Sequence, residues 1–171
     1  MSTERLVWHL SLLAWSAGIV ALALVYREEA PGSRIVSVVE VGWSPDSAST
    51  LERAAIIVLS KAPSLMESRV GYGAVVPEEV RAWRLLRESP RASRLFQHLL
   101  NGSTLPGQLY ALAGLEAIGS RKFEDAFTAI DRLPLRHVQT THGCLVQREP
   151  LERVLKEIRS GWWSRELEDT R

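Results

Sequence analysis

Cysteine is almost absent from this chain of 171 residues: Cys144 is the only one. No intramolecular disulfide can form, and no cysteine-based zinc site can be assembled from this chain alone. Lysine is nearly as scarce. Lys61, Lys122 and Lys156 stand beside 18 arginines, a bias that reads as coding composition rather than function. Charge of one sign is missing too. The formal net charge is +1, so no global field points to nucleic acid or to an acidic partner, and no nucleic acid is expected. Glycine-rich phosphate loops are lacking: Gly71-Tyr72-Gly73 is too short and has neither the Lys nor the Ser/Thr of a P-loop. There is no Gly-x-Ser-x-Gly elbow, no Cys-x-x-Cys and no His-Glu-x-x-His. Neither a cofactor nor a resident metal is expected. The paired carboxylates Glu78/Glu79 and Glu124/Asp125 fall at helix starts, where the helix dipole explains them better than acid–base work.

What is present begins with an apolar run. Residues 6–26, LVWHLSLLAWSAGIVALALVY, carry no formal charge apart from protonation of His9. A helix of that length spans roughly 30 Å, the thickness of a bilayer core. Trp8 and Tyr26 lie near its ends, as interfacial aromatics do. Three readings compete: a retained signal anchor, a cleaved signal peptide and a buried soluble helix. The run is long for a signal peptide and its best small-x-small site, Ala21-Leu22-Ala23, lies inside it. The anchor is therefore favoured, with residues 6–26 in membrane lipid and the bulk of the chain outside the cytoplasm. Secretion after signal cleavage is the alternative.

The expected organisation is a membrane or signal segment over 1–27, a connector over 28–50, a helical domain over 51–163 and a polar tail over 164–171. Ile35 to Trp43 is rich in β-branched residues and fits a short strand. Ser49-Thr50-Leu51-Glu52 fits a capping box opening a helix over Leu51 to Ser60. Pro63 ends it or begins a short second piece, Ser64 to Ser68. Pro77 opens a helix with Val80, Trp83 and Leu86 as its stripe. In the next helix Ala92, Leu95, Phe96, Leu99 and Leu100 follow the period of a surface helix. Leu105 to Gly119 is apolar nearly all round, which predicts burial on several sides. Its Gly107, Ala111 and Gly114 make a strip along which neighbours can approach closely. Phe123, Ala126, Phe127 and Ile130 mark the helix over Arg121 to Arg132. Leu135 to Gln147 reads as extended. Pro150 opens a last helix with Leu151, Val154, Leu155 and Ile158 inward, ended by Gly161.

The fold class expected is mainly α: a transmembrane or signal helix followed by a compact domain of αα-hairpins with one or two short extended segments. The block from Pro77 to Leu133 resembles a degenerate HEAT-type helical repeat. The run GQLYALAGL (Gly107 to Leu115), followed by His142-Gly143-Cys144, also resembles a group of uncharacterised bacterial proteins with a GQLYALxGL…GC arrangement. That resemblance covers about Pro77 to Gln147 and carries no assigned activity. HEAT-like modules generally serve as scaffolds, so it implies interaction rather than chemistry.

Three clusters are candidates for function. His137, His142 and Cys144 lie close in sequence; a thiol beside an imidazole can be nucleophile and base, or the three can share a metal with an outside ligand. The plainer reading is an inert cysteine beside a turn glycine. Arg81, Arg84, Arg87, Arg91 and Arg94 recur every three or four residues, as a basic ridge for phosphate, an anionic headgroup or an acidic partner. The plainer reading is a solvated face interspersed with Glu78, Glu79 and Glu88. Trp162-Trp163 either docks on the core or contacts a partner. Together these favour a membrane-anchored helical scaffold that binds another protein. An exported thiol enzyme using Cys144 with His142 or His137 is the first alternative, and a structural subunit of an envelope complex the second. The oligomeric state is not readable.

Overall fold

The computed structural model describes residues 48–169. Its elements, in chain order, are α1 (Thr50–Ser60), β1 (Leu65–Val70), α2 (Glu78–Glu88), α3 (Ala92–Leu99), α4 (Leu105–Ala117), α5 (Phe123–Asp131), β2 (His137–Gly143), β3 (Leu145–Pro150), α6 (Leu151–Arg159) and α7 (Trp162–Glu168).

Helix α4 is the axis of the domain. Every residue from Pro106 to Leu115 is buried. Thr104 caps it, accepting from the Gly107 amide while its hydroxyl donates to the Ala62 carbonyl. The small strip works as close-approach ground. A Cβ on Gly107 would run into the Leu59 carbonyl at the end of α1, and one on Gly114 into the Phe96 ring of α3. Tyr110 and Trp83 are fully buried, Trp83 Nε1 donating to the Tyr110 backbone carbonyl at 3.0 Å and the Tyr110 hydroxyl accepting from the Met66 amide at 2.9 Å. Buried aromatics of this kind need such partners.

The mainly helical expectation is corrected by a three-stranded sheet in the order β1-β2-β3, which makes the fold mixed α/β. β1 runs parallel to β2, with Leu65 opposite Thr140 and Val70 opposite Gly143. β2 and β3 form an antiparallel hairpin, from His137 opposite Pro150 to His142 opposite Leu145. Helices α2 to α5 make the connection between the parallel strands, as such a crossover requires. The piece expected as helix over Ser64 to Ser68 is β1 instead. The HEAT-like αα-hairpin series does not continue, because α5 hands over to the hairpin rather than to another helix pair. Residues expected as a polar tail from 164 are α7, with Ser164 and Leu167 buried.

The transmembrane and signal-anchor expectation is corrected as well. No helix among the described residues is long and apolar enough to cross a membrane. The run 6–26 on which that expectation rests lies outside the described residues, as does the strand expected over Ile35 to Trp43.

Candidate functional site

The parallel strands end side by side, and the sheet's chemistry gathers at that end. Between Met66 and Val70 the β1–β2 register slips. Such an irregularity re-aims a side chain, and Glu67 sits within it. Its Oε1 lies 2.9 Å from His142 Nδ1, and its Oε2 accepts the Gly143 amide at 2.8 Å. On the other side of the imidazole, Nε2 faces Glu149 Oε2 at 3.5 Å. Glu149 is buried and also lies 3.4 Å from the Arg153 guanidinium. The imidazole ring packs against Trp163 and Trp162, with ring centres 5.7 and 6.4 Å away. His142 is thus a post between two carboxylates and two indoles, tying β1, β2, β3 and α7 together.

Cys144 is exposed. It follows Gly143 in the two-residue turn between β2 and β3. Gly143 has φ +54° and Cys144 has no positive φ, the sign pattern of a type II′ turn with glycine first. His142 has one ring nitrogen on Glu67 and the other towards Glu149, so neither is turned to the thiol. His137 stands at the opposite end of β2, about 20 Å away along the strand. The structure therefore does not turn a His142 ring nitrogen or His137 towards Cys144, as the alternative thiol-enzyme reading requires. Among the described residues no group of histidine, cysteine and carboxylate side chains is arranged to hold a metal.

The five arginines are also separated. Arg84 donates to the carbonyls of Leu167 and Asp169, at 2.7 and 2.6 Å. It thereby satisfies the orphan acceptors at the end of α7. Arg87 pairs with Glu168 and Arg91 with Glu52. Arg81 and Arg94 are exposed. Three of the five are spent on internal contacts, so no continuous basic ridge forms.

The two tryptophans part company. Trp163 is fully buried and Trp162 is 36% exposed; they meet edge to face at 4.9 Å. Exposed apolar residues lie around the turns next to His142, the ring on which Trp162 packs. Val70 and Val75 exchange backbone hydrogen bonds, each 3.0 Å, around the turn 71–74. The Gly71 amide donates to the Gly143 carbonyl at 3.0 Å, which sets this turn against the β2–β3 turn. Ala74 holds φ +44°, a left-handed conformation that costs an L residue roughly 1–2 kcal/mol. Tyr72 at its tip is fully exposed, and Val75, Leu145 and Val146 are each more than 60% exposed. The two turns are apart in sequence and are set together by the β1–β2 pairing, while Leu145 and Val146, consecutive in β3, face opposite sides of the sheet.

No protein-family model matches the chain, and it matches neither a curated protein nor a solved structure.

Proposed function

We propose that this domain is a protein-interaction module whose contact surface is the apolar end of its sheet. The observation that carries the reading is that Tyr72, Val75, Leu145 and Val146, all exposed, lie on or beside one pair of turns, next to the His142 ring on which the exposed Trp162 packs. Clustered exposed apolar side chains mark contact sites, whereas scattered ones need no explanation. Trp and Tyr are the side chains that most often carry binding energy. Trp162 is held from beneath by Trp163 and His142, so little side-chain freedom is lost when a partner covers it. A thiol enzyme draws no comparable support, because the His142 imidazole is already committed to Glu67 and faces Glu149.

Cys144 provides the test, being the only cysteine and lying exposed in one of the two turns. A thiol-directed photo-crosslinker placed there is expected to give a discrete adduct with another protein in native extract. Trp162→Ala should remove that adduct. As Trp162 is partly exposed, the substitution should leave the thermal midpoint within a few degrees. Cys144→Ser should leave partner binding unchanged. If Trp162→Ala and Tyr72→Ala both leave the adduct intact, or if Cys144→Ser alone abolishes the protein's activity in its cell, the interaction reading fails.

A further inference from the structure

We infer that the open edge of β3 receives an extended, acidic segment of a partner protein as a fourth strand. This rests on the interaction reading and names how the contact is made.

The two edges of the sheet are treated differently. The outer edge of β1 is closed by side chains: the Met66 amide donates to the Tyr110 hydroxyl at 2.9 Å and the Ser68 amide to Glu166 Oε1 at 3.3 Å. Val70, at its end, is bonded to Val75. Among the described residues β3 has no such cover. Its hairpin register determines which groups point outward. In a two-residue turn the closing pair, here His142 and Leu145, is the hydrogen-bonded one, and bonded pairs then alternate. Gln147 and Glu149 accordingly face β2, opposite Thr140 and Val138. Val146 and Arg148 direct their N–H and C=O groups away from the sheet. Among the described residues nothing hydrogen-bonds to those groups. A row of unpaired backbone groups is a template for another strand, and peptides bind other sheets by completing it. Pro150 closes the row, having no N–H to offer.

The side chains around this edge choose the occupant. His137, Gln139, Gln147 and Arg148 are exposed and line a shallow concavity together with Val138 and Val146. Arg136 is exposed beside it. The one acidic residue of the hairpin, Glu149, is buried beneath it and lies beside His142 and Arg153. A second copy of this chain would bring Arg136, His137 and Arg148 against their own kind. A strand with carboxylates at alternate positions would meet Arg148 with charge-assisted hydrogen bonds while its backbone pairs with Val146 and Arg148.

The full chain, nitrogen-15 labelled, tests this with two short probe peptides, one alternating glutamate with valine and the other lysine with valine. The glutamate peptide is expected to slow hydrogen exchange at the amides of Val146 and Arg148, and to leave Gln147, already bonded to β2, unchanged. The lysine peptide should bind at least about tenfold more weakly, a difference of roughly 1.4 kcal/mol. Arg148→Glu should reverse the preference. Val146→Pro should abolish protection at Arg148; its lost N–H faces outward, so β2–β3 pairing is spared. If Val146→Pro perturbs folding, the Arg148→Glu reversal decides alone. Equal protection by both peptides, or none, overturns the inference. So does protection that appears without peptide and grows with protein concentration, which would mean a second copy. Should the Cys144 adduct form in Val146→Pro as in the natural chain, the contact surface stands and the added strand falls. Should the peptide protect the edge while Cys144 yields no adduct, the edge stands and the wider surface falls.

Discussion

Single side chains carry more of this domain's cohesion than their polarity suggests. Glu52 is the clearest case. It completes the capping box of α1, taking the Ser49 amide at 2.6 Å while its own amide donates to Ser49 Oγ. It also accepts from Ser89 Oγ at 2.5 Å and from the Arg91 guanidinium at 2.8 Å, and so bolts α1 to the turn between α2 and α3. The Ser89 hydroxyl, then the Ser49 amide, hold its carboxyl below the ordinary value of 4.5, against the opposing effect of burial. Because these partners favour the charged form, the folded state gains stability wherever the carboxylate is ionised. That gain is full above the unfolded value and drains away as the pH falls through the lower folded value. Glu52→Gln should therefore cost about 1–3 kcal/mol at neutral pH. Thermal melts of the two proteins should differ at pH 7 and converge as the pH falls through the lowered folded value. A gap that stays constant with pH would show that shape, not charge, is what Glu52 contributes.

Among the elements, α4 has the least tolerance for change. Gly107 and Gly114 are places where a neighbour occupies the space of a Cβ. Gly107→Ala meets backbone, the Leu59 carbonyl, which cannot rotate aside. Gly114→Ala meets the Phe96 ring, which is fully buried and so has nowhere to go. Each should lower stability by about 1–3 kcal/mol despite the better helix propensity of alanine, with Gly107→Ala the worse of the two. Denaturant unfolding of both variants checks the order. This strip was legible in the sequence, as was the capping box at Ser49 and the inward stripes of α2, α3, α5 and α6, because each is written in residues within a turn or two of one another. The sheet was not. β1, LMESRV, has no apolar alternation, since Ser68 and Glu67 bond to α7 and to β2 while Leu65 alone is fully buried. Its partner Thr140 is far along the chain, and no local pattern announces that pairing. The setting of the Tyr72 turn against the β2–β3 turn was hidden for the same reason. Trp162 was a candidate by its chemistry, but only the docking of α7 against β2 brings it to His142. The arginine series failed differently: its spacing is that of a helix face, but α7 and Glu52 take up three of its members.

At the scale of the whole molecule, the chain's last helix acts as the closure. α7 has only seven residues, too few to persist alone, yet four other elements hold it. Ser164 Oγ reaches the Ala113 carbonyl and Glu116 on α4. Glu166 accepts from the Ser68 amide and hydroxyl on β1. Arg84 from α2 takes the carbonyls of Leu167 and Asp169. Trp163 Nε1 donates to Glu157 on α6 at 3.1 Å, and both Trp163 and Leu167 are fully buried. Truncating side chains of those sizes in a core costs about 3–5 and 2–5 kcal/mol respectively, together of the order of a small domain's entire stability. Ending the chain at Ser160 should therefore unfold the domain rather than trim it, whereas ending it at Asp169 should change nothing measurable. Proton amide dispersion and a thermal melt separate the outcomes. If the chain ending at Ser160 still melts cooperatively at the natural temperature, α7 is an appendage and cannot be the rigid seat of Trp162 on which the contact surface depends.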